Sequence, residues 1–218
     1  MEPILRTAQT SDWITIVLLL SLLFLVLAKG LFYGRFMNFI ILPFNNKYIF
    51  MYNKKEKLFN WFHIFFTIFQ IINFALFVFF ARDVLFSTEV NPYPLMYPVL
   101  LGCITIFVIL KIAVQLANGF IFGSSKIISQ LIFKKLSYLN YSGIIMFIAN
   151  MLLAYVLKDP KPVVFIAIFL ILLINVAGWI TMLRNHQKFI TNYFFYFILY
   201  LCALEISPFI IIGSYLKQ

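Results

Sequence analysis

Two ionisable side chains lie inside runs of apolar sequence. Lys111 sits in the apolar stretch between Glu89 and Lys126, and Glu205 interrupts the one between Lys188 and Lys217. A charge at the centre of a bilayer costs about 2.5–3.5 kcal/mol on insertion scales, so such groups pair, face a wet cavity or carry an ion. Gln115 and Asn118 follow Lys111 at i+4 and i+7, on one helical face. Pro208 follows Glu205 at i+3, and it frees a backbone carbonyl one turn back, close to the carboxylate. His63, Thr67, Gln70 and Asn73 recur at three- or four-residue steps, and Asn150 and Asn175 add single amides to other apolar runs. Polar stripes of this kind bond across helices or line a hydrated path.

The candidate intramembrane site is therefore Glu205, Lys111, Gln115, Gln70, Asn73 and His63. Two chemistries fit it. In one, Lys111 snorkels to the interface and Glu205 accepts hydrogen bonds from amides such as Gln70. In the other, Glu205 takes up protons or a cation and Lys111 pairs with it.

Other chemistries lack parts. His63 and His186 are the only histidines, far apart, with no carboxylate cluster or cysteine pair to complete a metal shell. Paired acids that would hold magnesium against a diphosphate are missing. Ser142-Gly143 and Ser124-Ser125 have no base and orienter nearby. Cys103 and Cys202 fall in opposite halves of the membrane, too far apart for a disulfide, and read as small apolar residues. The expectation is a chain with no catalytic residue, cofactor or metal, and not an enzyme.

The elements that must position these residues follow from composition. Of 218 residues, 64% are hydrophobic and 11% charged, with a mean hydropathy of +1.00. Soluble domains run about 45–50% apolar and about 25% charged. A domain of this size cannot bury such an excess, which excludes a soluble enzyme, a disordered tail and a disulfide-stapled module. A spanning helix needs about 20 apolar residues. The gaps between charges predict an all-α polytopic membrane helical bundle: a single membrane domain, 1–218, with six transmembrane helices at about 13–31, 58–81, 96–118, 138–157, 163–183 and 193–216. The acidic flank before the first span and the Ala28-Lys29-Gly30 that follows it read as a retained helix, not a cleaved leader.

Two longer connections, roughly 31–57 and 119–137, read as cytoplasmic interfacial segments. The first carries Phe36, Phe39, Ile40, Ile41 and Phe44. The second has Ser124 or Ser125 as a cap, with Ile127, Ile128, Leu131 and Ile132 opposite Lys126, Ser129, Gln130 and Lys134. Both end in lysine-rich steps, Lys54-Lys55-Glu56-Lys57 and Lys134-Lys135.

Loop charge sets the orientation. One side holds eleven basic residues against one acid, Glu56, and the other holds five of each sign. Lysine and arginine collect on the cytoplasmic side, which places both termini outside. The basic face offers anionic lipid headgroups about 1 kcal/mol per residue, although the positive-inside bias alone accounts for these lysines. No nucleic-acid-binding module accompanies the charge, so nucleic acid is not an expected partner.

The motif Leu204-Glu205-Ile206-Ser207-Pro208 in the last run, with Leu42-Pro43-Phe44-Asn45-Asn46-Lys47-Tyr48 and Asp12-Trp13, resembles an uncharacterised Bacteroidota multi-spanning inner-membrane family, a domain of unknown function. The resemblance implies a Gram-negative inner membrane with a periplasmic outer face, and it carries no activity to transfer. The expected function is a non-enzymatic subunit or scaffold of a cell-envelope assembly, with membrane lipids and other inner-membrane or envelope proteins as partners. The alternative is a small proton-coupled transporter or lipid carrier using Glu205.

Overall fold

The structure is a computed structural model that describes residues 11–43, 45, 47–52, 60–86, 96–121, 125–156 and 161–185. All the regular structure in these residues is helical: α1 (Ser11–Leu31), α2 (Tyr33–Ile40), α3 (Lys47–Tyr52), α4 (Trp61–Phe86), α5 (Met96–Ile121), α6 (Ser125–Tyr155) and α7 (Lys161–Asn185). Five of them, α1, α4, α5, α6 and α7, are long and apolar enough to cross a membrane. The expected sixth span, 193–216, lies outside the described residues, and Glu205 and Cys202 with it.

Local chemistry explains the breaks. The chain turns after a single non-helical residue, Phe32, between α1 and α2, and Leu42-Pro43 follows α2. The Asn45 side-chain oxygen accepts the Lys47 backbone N–H at 3.0 Å at the start of α3. Pro98 and Pro162 lie in the first turns of α5 and α7, where a missing N–H leaves no helical bond unmade.

Contacts at the ends show that the long helices alternate in direction. Trp13 packs edge-on against Phe79 and tilted against Tyr97, while the Thr15 and Tyr155 hydroxyls hydrogen-bond at 2.7 Å. These gather the start of α1, the end of α4, the start of α5 and the end of α6 at one end. At the other, Phe32 meets Phe62, Phe39 meets Phe66 at 4.5 Å, and Tyr48 stacks on Phe133. In cross-section α4 touches α1, α5 and α6, while α6 also touches α5 and α7.

The aromatic end is built around α2 and α3. Phe36, Phe39, Leu42, Tyr48 and Ile49 are buried against Phe62, Phe66, Phe69 and Phe133. Aromatic pairs contribute about 0.5–1.5 kcal/mol each beyond the area they cover. Tyr33, Met37, Ile40 and Ile41 remain exposed on the other face. The first expected interfacial segment is thus helical and largely seated on protein.

The second differs from expectation. Residues 125–137 are not a separate helix in the membrane plane. They are the opening turns of a continuous 31-residue α6. No proline or glycine occurs between Ser125 and Ser142, and lysine is a good helix former, so nothing in Lys134-Lys135 stops the helix. The candidate span begins at Ile128, which places both lysines within it.

Candidate functional site

The polar stripe of α4 faces α6. His63, Gln70 and Asn73 are 3%, 2% and 0% exposed, and Asn140, Ser142 and Asn150 of α6 are buried as well. Recurrence at three and four residues puts the α4 groups in one row, one above another.

The seam is bonded across at two levels. Asn150 Nδ2 donates to the Asn73 backbone carbonyl at 3.0 Å and lies 3.5 Å from its Oδ1. Asn73 Nδ2 donates to the Phe69 carbonyl at 2.8 Å. One to two turns away, Thr67 Oγ1 and the Asn140 amide exchange long contacts of 3.3 and 3.4 Å. Gln70 sits between them, opposite Gly143. A Cβ at Gly143 would stand 3.0 Å from the Gln70 Cα and Cβ, so the absence of a side chain is what lets the two helices approach.

At the aromatic end His63 Nε2 and the Tyr48 hydroxyl share a hydrogen bond of 3.0 Å. The ring meets Phe133 edge-on at 4.6 Å and Phe62 at 5.9 Å. Among the described residues, three buried polar atoms of the seam have no hydrogen-bond partner: His63 Nδ1, Gln70 Oε1 and Asn150 Oδ1. An unpaired buried polar group is costly, and each of these atoms leaves one hydrogen bond unmade.

The α5 candidates go elsewhere. Gln115 is 2% exposed and its Nε2 has no partner among the described residues. The Lys111 side chain lies close to that of Lys135 on α6. Its ammonium also lies 5.7 Å from the Phe107 ring centre, as Lys135 Nζ lies 5.9 Å from that of Trp179. The structure thus brings His63, Gln70 and Asn73 into one seam and puts Lys111 beside a second lysine. Glu205 lies outside the described residues, and so does any pairing with it.

Sequence reading missed four residues. Asn140 and Gly143 stand three residues apart, with Asn150 seven further on, a spacing that keeps them on one face of α6. Lys135 was assigned to a loop because two adjacent lysines usually mark a membrane exit. Gly178 had no signal of any kind: a Cβ there would meet the Tyr138 ring at 2.6 Å. Among the described residues no three His, Cys, Asp or Glu side chains gather to hold a metal ion, and Cys103 is exposed on α5.

Antiparallel apolar helices held by small residues and buried amides define a multi-pass helical membrane protein. Residues 14–216 match the family described as Domain of unknown function (DUF4271), and the chain belongs to it. No curated protein and no solved structure matches the chain.

Proposed function

We propose that this is a non-enzymatic scaffold or subunit of a cell-envelope assembly in a bacterial inner membrane, one membrane domain with six spans. The observation that carries the reading is the α4–α6 seam. It joins two helices through the Asn150 amide on Asn73 and through the bare Gly143 backbone packed against the Gln70 Cα and Cβ. Interhelical bonds of this kind fix register and partner choice. The loop charges support cytoplasmic connections after α1 and before α6, with both termini periplasmic.

Mass determination of the intact complex, after gentle detergent extraction from the native membrane, tests the reading. A defined heavier species containing a second polypeptide is expected. A lone monomer or homodimer would remove the subunit assignment. The three unpartnered seam atoms favour a second reading, a small proton-coupled carrier that uses Glu205 with Lys111, Gln115, Gln70 and Asn73. For that reading, Glu205→Gln leaves an intact protein that has lost pH-dependent transport. For the scaffold, the same change impairs assembly.

A further inference from the structure

The polar row of α4 begins at His63, in the first turn of the helix, and α3 lies across that end. Tyr48 is 1% exposed, stacks on Phe133 and shares a hydrogen bond of 3.0 Å with His63 Nε2. Phe62 and Phe133 meet the imidazole edge-on. One turn further in come Thr67 and Asn140, then Gln70, whose Oε1 has no partner among the described residues. Uncovering His63 would therefore open the outer end of a row of buried polar groups.

Helices α2 and α3 are tied to each other as one piece. The Phe39 and Tyr48 rings meet edge-on at 5.4 Å, and the Arg35 guanidinium lies 5.3 Å from the Tyr52 ring centre. Phe32 is the single non-helical residue between this piece and α1. Hinges are commonly a few residues of this kind at the end of an element.

The packing of the piece on the bundle is largely apolar. Phe36, Phe39, Leu42 and Ile49 are buried, yet Met37 and Ile40 on the other side of α2 are exposed. Helix α2 therefore offers apolar surface whichever way it faces. Acyl chains solvate such surface as well as protein does, so apolar packing alone holds the piece weakly. A hydrogen bond between a phenol and an imidazole is different, because acyl chains offer neither group a partner.

We infer that α2 and α3 form a strap that closes the outer end of the α4–α6 polar row against water, with the Tyr48–His63 hydrogen bond as its latch. The strap depends on the membrane fold and is compatible with a scaffold and with a carrier alike.

Thiol labelling of the full chain in lipid nanodiscs tests it, with Cys103→Ser and Cys202→Ser as background and a water-soluble maleimide as probe. Thr67→Cys places the thiol one turn inside the latch. It should react far more slowly than Met51→Cys on the exposed side of α3. Tyr48→Phe removes the latch and should raise the Thr67→Cys rate about fivefold, the population ratio that corresponds to about 1 kcal/mol. His63→Leu should do the same, and the two together no more than either alone, because each removes the same bond. His63→Gln keeps a partner for the Tyr48 hydroxyl and should keep the slow rate. Asn150→Leu breaks a seam bond away from the strap and should leave the rate unchanged.

Spin labels on Met51→Cys and Trp61→Cys, both at exposed positions, give a second measurement: Tyr48→Phe should add a population at longer distance. Labelling of Thr67→Cys as fast as Met51→Cys, an unchanged rate in Tyr48→Phe, or an equal rise in Asn150→Leu overturns the latch. So does a spin-label distance that Tyr48→Phe leaves unaltered.

Discussion

Helices α4 and α5 are each 26 residues long and equally apolar, yet half of the α4 span is buried inside the protein and only 6% of the α5 span. In water the more apolar helix goes inside. In a bilayer that rule has no force, because a lipid tail solvates leucine as well as another helix does. What separates the two helices is the polar stripe. His63, Thr67, Gln70 and Asn73 run along α4 and need partners that lipid cannot supply. On α5, by contrast, Ile106, Ile109 and Leu110 stay exposed, and the buried side chains are Tyr97 near its start and Gln115 near its end. Burial here follows hydrogen-bonding need and close backbone approach.

The largest expected effect tests close approach. Gly143→Leu drives a side chain into the Gln70 backbone and should cost about 3 kcal/mol or the folded state altogether. Gly102→Leu on α5 meets open space and should stay within about 0.5 kcal/mol. Thermal unfolding in mild detergent reads both, and equal losses would break the contrast.

Amide need is the next test. Asn150→Leu removes the donor to the Asn73 carbonyl and should cost about 0.6–1.7 kcal/mol, the range for interhelical bonds in membranes. Gln115→Leu removes a buried amide whose nitrogen has no partner among the described residues and should be neutral or stabilising. A destabilised Gln115→Leu would mean that α5 depends on its polar residues as α4 does. Steric-trap unfolding in bicelles measures both variants.

Tyr48→Phe sharpens the account at the aromatic end. It keeps the ring on Phe133 and removes the hydroxyl from His63, for a loss of about 1 kcal/mol. Should the loss reach that of Gly143→Leu, the cage and not the α4–α6 crossing would be the centre of stability. The smallest effect is expected for Ile109→Leu on the exposed face of α5, with no measurable change in the unfolding midpoint.

Part of the site was legible because helical period reports a shared face. The row from His63 to Asn73 follows from steps of three and four, and the structure puts those residues in one seam. Period does not name the neighbour that fills that face. Asn140, Gly143 and Asn150 came to the stripe only through the packing of α6 on α4. Lys135 was misread for a different reason. Charge density marks membrane exits on average, but a long, uninterrupted α6 carries the pair of lysines into its span, where Lys111 meets one of them.

Sequence alone determined that this chain is helical and crosses a membrane several times, since so apolar a composition has no soluble solution and lipid demands that every backbone bond be made within a helix. It also determined which side of α4 would turn inward. Only the tertiary structure decided that α6 would be the partner, that α2 and α3 would fold back over His63, and that Lys111 would stand beside Lys135. Apolar faces are interchangeable against lipid and protein alike, so the choice among them falls to shape at single residues, a glycine at 143 and a long helix through 134–135.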